Sequence, residues 1–426
     1  MASKPIFISC PWMKHEAVAS IFNAIEAQGY EVRFVGGCVR DAIAGRAIAD
    51  IDIASTSPPK KTLSILNDAG INGIPTALKY GTITAIIDDT CYEITSLRRD
   101  RENYGRHALI EFTDNWFEDA KRRDFTFNAM SADRNGVLYD PFNGREDLLS
   151  GSVKFIGCPN MRIQEDYLRI LRYFRFFGSL STSIPEPNII KSCQDFSDNL
   201  HTLSGERIRD EMWKILSVHN VLSTLKVMDR AGILKKILPE FYNIKLLSAI
   251  LKITKGRKSI SITKNHSLQN LSALIVGGPR PEVIESIALR WKLSNKEKSR
   301  LARFVTPINP QQNNFNTYLF EELYEHGLED IRSRIIINWA KELTNPGKNK
   351  NSYSGFWSDI MDRCEQWRAP QFPLNGRDVM SFGIAQGATV AHILNETKEW
   401  WINADFPMQR DVCLAKLKEI IMTTNM

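Results

Sequence analysis

The sequence predicts an α+β fold in which a small mixed β-sheet flanked by helices comes first and an all-helical remainder follows. Three observations carry this. The first third holds short β-branched or alternating segments separated by turn residues. Past about residue 150, apolar residues recur at helical spacing with few strand signals. A chain of 426 residues, 43% hydrophobic and 24% charged, is long enough to bury two or more cores.

The elements follow in order. Between Lys14 and Gln28, Val18, Ile21, Phe22 and Ile25 mark one face of a helix that Gly29 closes. Val32 to Val35 reads as a strand running into Gly36-Gly37, and Cys38 to Gly45 as a helix leaving that turn. Further strands are expected at Ile51 to Ala54, Thr82 to Ile87 and Cys91 to Leu97. Helices are then expected at Glu165 to Leu180, Glu206 to Ser217 and Leu222 to Ala231. Two stretches rich in Asn, Pro, Gln or Gly, Thr306 to Asn316 and Thr344 to Gly355, read as connectors between helical subdomains.

A net charge of +6 is modest for this length and permits, without diagnosing, a polyanionic partner. Seven scattered cysteines with no CxxC pair point to a reducing cytoplasm and away from structural zinc. The N-terminal MASKPIFISCPWM lacks a long apolar core and no run approaches eighteen consecutive apolar residues, so neither a signal peptide nor a membrane span is expected.

The chemistry-bearing residues begin with Asp50-Ile51-Asp52-Ile53. The strand period of two sends both carboxylates to one face and the isoleucines to the other. Two adjacent anions repel unless a cation lies between them, and magnesium is the usual oxygen-liganded cation of phosphate chemistry. A solvated strand edge spells the same dipeptide, so the context decides. Upstream, Gly36, Gly37 and Arg40 stand at a strand-to-helix turn where backbone N–H groups can approach a phosphate and the arginine adds charge. Downstream, Cys91, Glu93 and Thr95 share a strand face, which makes Glu93 a candidate third carboxylate, with an ordinary exposed strand glutamate as the equal alternative.

Lys121-Arg122-Arg123-Asp124-Phe125-Thr126-Phe127-Asn128 supplies cations for phosphate oxygens, with Asp124 and Asn128 suited to ribose hydroxyls. A solvated charge run capping a helix is the plain alternative. In Glu165 to Phe176, Tyr167, Ile170, Leu171 and Phe174 form an apolar face, while Asp166, Arg169, Arg172 and Arg175 form a polar one. One acid with three arginines leaves surplus charge that an Asp166–Arg169 ion pair would not account for. Such a row can meet a base edge and phosphates together.

Taken in order, GGCVRD, DIDIA, RRDFTFNAM and EDYLRILRYFRF resemble the class II CCA-adding enzyme and bacterial poly(A) polymerase family, over about residues 32 to 216. The resemblance implies a nucleotidyltransferase head (1–150), a helical neck (151–240) and a helical body and tail (241–426) that carries tRNA. It implies magnesium on Asp50 and Asp52, with the triphosphate against Gly37 and Arg40. Arg123, Asp124 and Asn128 would hold the triphosphate and sugar, and Asp166 and Arg169 would read the base of CTP or ATP, with Arg172 and Arg175 as further nucleotide contacts. Ser204 to Ile208 resembles the neck motif that supports the base-reading helix, and Ser96 to Phe112 the flexible loop. In that loop Tyr104 stands where the family often has an aspartate, which replaces an acid able to pair with arginine by an amphipathic ring.

The implied activity is addition of C, C and A to the tRNA 3′ end without a nucleic-acid template. Polyadenylation is the alternative within the same chemistry. A catalytically silent RNA-binding relative is the alternative of another class, with Arg290-Trp291-Lys292 and Lys398 to Trp401 as RNA-contacting candidates, although such aromatics are more often core or partly buried.

Overall fold

A computed structural model of the chain describes residues 6–102, 109–181, 184–240, 242–256, 266–275, 281–309, 315–345 and 350–424. They form two compact units, Met1–Pro239 with Arg290–Lys292, and Glu240–Leu289 with Leu293–Met426.

In the first unit, α1 (Glu16–Glu26) buries Val18, Ile21, Phe22 and Ile25, the face its spacing predicts. The chain continues through β1 (Val32–Val35), α2 (Gly37–Ile43), β2 (Asp52–Ser55), α3 (Pro59–Asp68), β3 (Asn72–Ala77), β4 (Thr82–Ile87) and β5 (Thr90–Ser96). Next come β6 (Arg98–Glu102), β7 (Leu109–Phe112), α4 (Trp116–Lys121), β8 (Ser131–Ala132), β9 (Leu138–Tyr139) and α5 (Gly144–Ser150). The helices α6 (Pro159–Glu165), α7 (Leu168–Leu180), α8 (Pro187–Asp195), α9 (Gly205–Leu216), α10 (Val221–Arg230) and α11 (Ile233–Ile237) complete it.

The sheet is mixed, in the order β3-β4-β5-β2-β1-β8-β9, with β2 and β5 parallel and the other pairs antiparallel. Asp88 and Asp89 turn β4 into β5 with φ of 48° and 59°, the left-handed pair that a two-residue hairpin needs to match strand twist. One sheet face is closed by helix α1, where Phe34 packs 4.6 Å from Phe22 between ring centroids. On the other face Val35, Ala54 and Leu97 pack together under Trp116 of α4. The side chains that alternate with Phe34 and Ile53 therefore open toward α4, and Asp52 is one of them.

Three expectations are corrected. Strand β2 starts at Asp52, so Asp50 lies exposed in the segment before the strand and does not share its pleat. The helix expected over Glu165 to Leu180 is two helices, broken where Asp166 takes an extended conformation (φ −157°, ψ 107°). Its carboxylate accepts a bond from the Leu168 backbone N–H at 3.1 Å, so the side chain caps α7 and does not continue the polar row of Arg169, Arg172 and Arg175. Of the two connectors, the second is helical from Lys350 and the first from Phe315. Trp291 and Trp401 are fully buried, so neither ring offers a base-stacking surface. The loop-like segment pairs β6 with β7, and Tyr104 with the following Gly105-Arg106 lies outside the described residues.

Among its described residues the second unit has helices and no strand: α12 (Ile244–Gly256), α13 (His266–Ile275), α14 (Pro281–Trp291, whose last residues belong to the first unit), α15 (Asn295–Val305), α16 (Phe315–Thr344), α17 (Lys350–Gln366), α18 (Gly376–Met380), α19 (Ala388–Asn403) and α20 (Arg410–Thr424). Gly327, at φ 79° and ψ 165°, bends α16. Leu374, Ile393, Trp401, Phe406 and Leu417 share the core formed by the last three helices. No helix among the described residues is long and apolar enough to cross a membrane.

Candidate active site

A cleft of about 820 Å³ opens in the first unit between the Asp52 face of the sheet and helices α7 and α9. Nine arginine or lysine side chains line it against four aspartates, a surplus of positive charge that suits a polyanion.

The glycine turn forms one wall. Gly36 sits at φ 68° and ψ −121°, where a side chain would be strained. A Cβ there would lie 3.3 Å from Nη1 of Arg123 and 3.8 Å from Oδ2 of Asp52, so the glycine keeps this corner open. The buried Cys38 thiol donates to the Val35 and Asp52 carbonyls at 3.3 and 3.6 Å, tying the start of α2 to β2. Burial pushes that thiol up to about 12, so it serves as a structural donor and not as a nucleophile.

Asp50 and Asp52 both line the cleft. Asp52 is half-buried, and burial is the largest cause that raises its carboxyl above the ordinary value. Glu93, its direct partner in the parallel β2–β5 register, and Asp50 add repulsion, while Arg123 and Arg40 oppose them. A negative pole left in this state is one a cation would relieve. Glu93 stands exposed on the neighbouring strand, and no three His, Cys, Asp or Glu side chains converge as a ligand set among the described residues. Two carboxylates with open positions fit a hard divalent ion that completes its shell with phosphate oxygens and water.

A connected hydrogen-bond chain forms the opposite wall. Arg40 donates bidentately to Asp41 at 2.9 and 2.6 Å and through Nη1 to Oδ1 of Asn128 at 2.8 Å. Asn128 donates to Oδ1 of Asp124 at 2.9 Å, and Arg172 donates to Oδ2 of Asp124 at 2.6 Å. Burial raises the Asp124 carboxyl, but Arg172 and the Asn128 amide overcome it and hold the group below its ordinary value. Asp119 behaves alike: burial acts against it, and Arg123 and Arg122 bring it down.

The ring of Phe176 lies at the junction of this wall. The guanidiniums of Arg175, Arg40 and Arg172 stand 4.2, 5.2 and 5.8 Å from its centroid. Each has its own acid: Asp41 for Arg40, Asp124 for Arg172 and Glu211 for Arg175. At the far edge, Asp166 is held by Arg207 of α9 at 2.8 Å, and Arg169 by Glu165 and the Arg162 carbonyl.

Two family models match the chain: "Poly A polymerase head domain" over residues 32–154, and "Probable RNA and SrmB- binding site of polymerase A" over residues 185–244. The CCA-adding enzyme of Limosilactobacillus reuteri is 36% identical over 95% of this chain and 96% of its own. The chain belongs to the class II CCA-adding enzyme and poly(A) polymerase family. The zebrafish mitochondrial CCA tRNA nucleotidyltransferase 1 is 30% identical over 95% of this chain and 91% of its own length. The fold is also that of the Bacillus stearothermophilus CCA-adding enzyme crystallised with CTP, with a TM-score of 0.64 at 24% identity, covering 98% of this chain and 99% of that one.

For this CCA-adding enzyme family member, the cleft brings together Gly36, Gly37, Arg40, Asp50, Asp52, Arg123, Asp124, Asn128, Asp166, Arg169, Arg172 and Arg175. Glu93 stays beside it. The cleft is also lined by Arg122 of the basic run, by Arg207 of the neck motif, and by Arg98, Phe176 and Lys214, for which the sequence offers no such signal. On α9, Arg207, Glu211 and Lys214 follow one another at i, i+4 and i+7, a single helix face that the numbering alone displays.

Proposed function

We infer that this protein is a CCA tRNA nucleotidyltransferase, which adds C, C and A to the 3′ end of tRNA from CTP and ATP and releases pyrophosphate. The carrying observation is the joining, in one cleft, of an uncompensated aspartate pole, a glycine corner and a surplus of arginines, within a chain that aligns nearly end to end with CCA-adding enzymes.

Asp50 and Asp52 would hold a divalent metal, with magnesium favoured by the all-oxygen donors. When bound, such a metal supplies the charge that lowers the pKa of the RNA 3′-hydroxyl and offsets charge on attacking and leaving oxygens. The chain's own residues do the rest. The Gly36-Gly37 corner admits the triphosphate, and Arg40, Arg123, Arg172 and Arg175 bind it, pre-oriented by their acids so that little is reorganised on binding. Asn128 and Asp124 stand at the sugar. Asp166 and Arg169 present acceptors and donors to the base edge and so stand in for a template. Head (1–150), neck (151–240) and body with tail (241–426) then divide into chemistry, base reading and tRNA binding. The site of action is read as the cytoplasm from the scattered free cysteines.

The test is to incubate the purified protein and magnesium with tRNA lacking its 3′ end, offering CTP alone, ATP alone, or both. Extension that stops after CCA supports the reading. A ladder made from ATP alone would replace it by polyadenylation, and no extension would leave an RNA-binding relative.

A further inference from the structure

Glu211 is a buried acid of α9, 4% exposed, and it serves two cations. Its Oε2 lies 2.8 Å from Nε of Arg175 without an aligned hydrogen bond, and its Oε1 lies 3.4 Å from the ammonium of Lys214. The other arginines around Phe176 have a carboxylate each. A charge-assisted bond normally closes to about 2.7 to 2.9 Å, so Lys214 is loosely tethered. Its side chain is 55% exposed and lines the cleft.

Its place in the row is informative. From the Asp52 pole the charged groups pass to Arg40, whose Nη2 would stand 3.8 Å from a Cβ on Gly37, then across the Phe176 ring to Arg175, and then through Glu211 to Lys214. With Asp52 at the metal, as proposed above, the bond that breaks and so the α-phosphate belong at that end. The row of cations then offers the distal phosphates a path toward Arg175 and Lys214.

We propose that Lys214 is a triphosphate-end contact: on nucleotide binding it leaves Glu211 for a terminal phosphoryl oxygen, and it holds the same oxygens of pyrophosphate after transfer. This rests on the cleft being the nucleotide site proposed above. Glu211 keeps Arg175 when Lys214 swings, so the buried acid is never left without a cation. The lysine suits this task because its ammonium is a single point charge on a flexible stem, whereas the arginines are fixed by planar pairing.

The full-length protein carrying Lys214→Met or Lys214→Arg is compared with wild type in equilibrium binding of CTP, ATP and CMP, and in steady-state extension of tRNA lacking its 3′ end. A charge-assisted hydrogen bond is worth on the order of tenfold in affinity. Lys214→Met should therefore weaken CTP and ATP alike by about that factor, raise both KM values with kcat changed by less than about twofold, and weaken inhibition by pyrophosphate in parallel. Binding of CMP, which lacks the distal phosphates, should stay at the wild-type value, and Lys214→Arg should recover most of the loss. Unchanged CTP binding in Lys214→Met overturns the proposal, and so does an equal loss for CMP and CTP, which would place the lysine on the base or sugar. If the wild-type protein itself neither binds CTP nor extends tRNA, the nucleotide-site reading falls and this inference with it. Wild-type turnover with an indifferent Lys214→Met overturns the lysine assignment alone.

Discussion

Asp52 and Asp124 stand on two walls of one cleft, both drawn away from bulk water, and their surroundings treat them in opposite ways. Around Asp52, burial, Glu93 and Asp50 all disfavour the charged form, and the arginines nearby do not make up the difference. Around Asp124, Arg172 and Asn128 more than compensate for a deeper burial. The same residue type is therefore a waiting ligand in one place and a structural tie in the other. The difference lies in the neighbours: strands β2 and β5 bring acids side by side, whereas α7 delivers an arginine to each acid it faces.

Replacing Asp52 by Asn should break the comparison most visibly. The variant loses the anion that would hold the metal, and turnover with CTP and with ATP is expected to fall at least about a thousandfold. Affinity for tRNA, dominated by phosphate contacts elsewhere, should hardly change. In metal-free buffer the same variant should melt higher, by roughly 1 kcal/mol or ~2 to 4 °C, because a repelled carboxylate has been removed. Undiminished turnover would remove Asp52 from the metal site, and a lower melting temperature would contradict its uncompensated state.

Asp124→Asn should do the reverse. It leaves the Arg172 guanidinium without its acid, and loss of one partner from a buried pair costs about 3 kcal/mol. Because the fold holds the Asp124 carboxyl below its ordinary value, the unfolded chain takes up the proton first as the solution is acidified. The stability from this group is thus complete above the ordinary carboxylate range and is lost as pH falls through it toward the folded value. Chemical denaturation at several pH values should show a shallower acid limb in the Asn variant than in wild type, and an identical limb would assign the acid sensitivity elsewhere.

The third case lies between these two. Asp166 is paired, but with Arg207 and in a half-buried position lining the cleft, so it can exchange partners when a base arrives. Asp166→Ala should reduce discrimination of CTP and ATP from UTP and GTP by roughly tenfold or more, as expected for one lost base-edge contact, while binding tRNA normally. Unchanged selection among the four nucleotides would take Asp166 out of base reading.

Much of this arrangement can be read from the sequence wherever a local rule acts alone. Val32 to Val35 with its Gly-Gly turn, and the hairpin strand Thr82 to Ile87, fall where β-branching and turn residues put them. Strand β3 does not announce itself. It is an edge strand with Gly73 and Pro75 inside it and mostly exposed side chains, so alternation is absent. The break at Asp166 escaped for a different reason: the i, i+3 spacing through Arg175 looks like one helix face, and only the capping bond to Leu168 shows that the helix restarts there. Arg207 and Lys214 look like solvated charges on an amphipathic helix until α7 is packed against α9. The carboxylate pole was legible as a pair of letters two apart, but its lack of compensation is a property of the β2–β5 register.

The smallest expected effect concerns the ring that three arginines share. Phe176 meets the guanidiniums of Arg40, Arg172 and Arg175 and packs edge-to-face with Phe125 and Phe127, 5.2 and 5.1 Å away. Leucine would still fill most of the volume, and each arginine would keep its carboxylate, so the ion pairs that set the fold survive. What disappears is the cation–π attraction that draws three guanidiniums to one place, worth about 0.5 to 1 kcal/mol for each close contact. Only Arg175, at 4.2 Å, is close enough for the upper part of that range. Phe176→Leu should therefore raise KM for CTP and ATP equally, by about threefold to fivefold, with kcat and the choice among nucleotides preserved. A change in nucleotide choice would mean that the ring acts through Asp166, and a lower melting temperature with unchanged KM would make it packing alone. An equal rise in both KM values would place the platform on the Asp124 side of the comparison, as a support that orders charge in advance of the ligand.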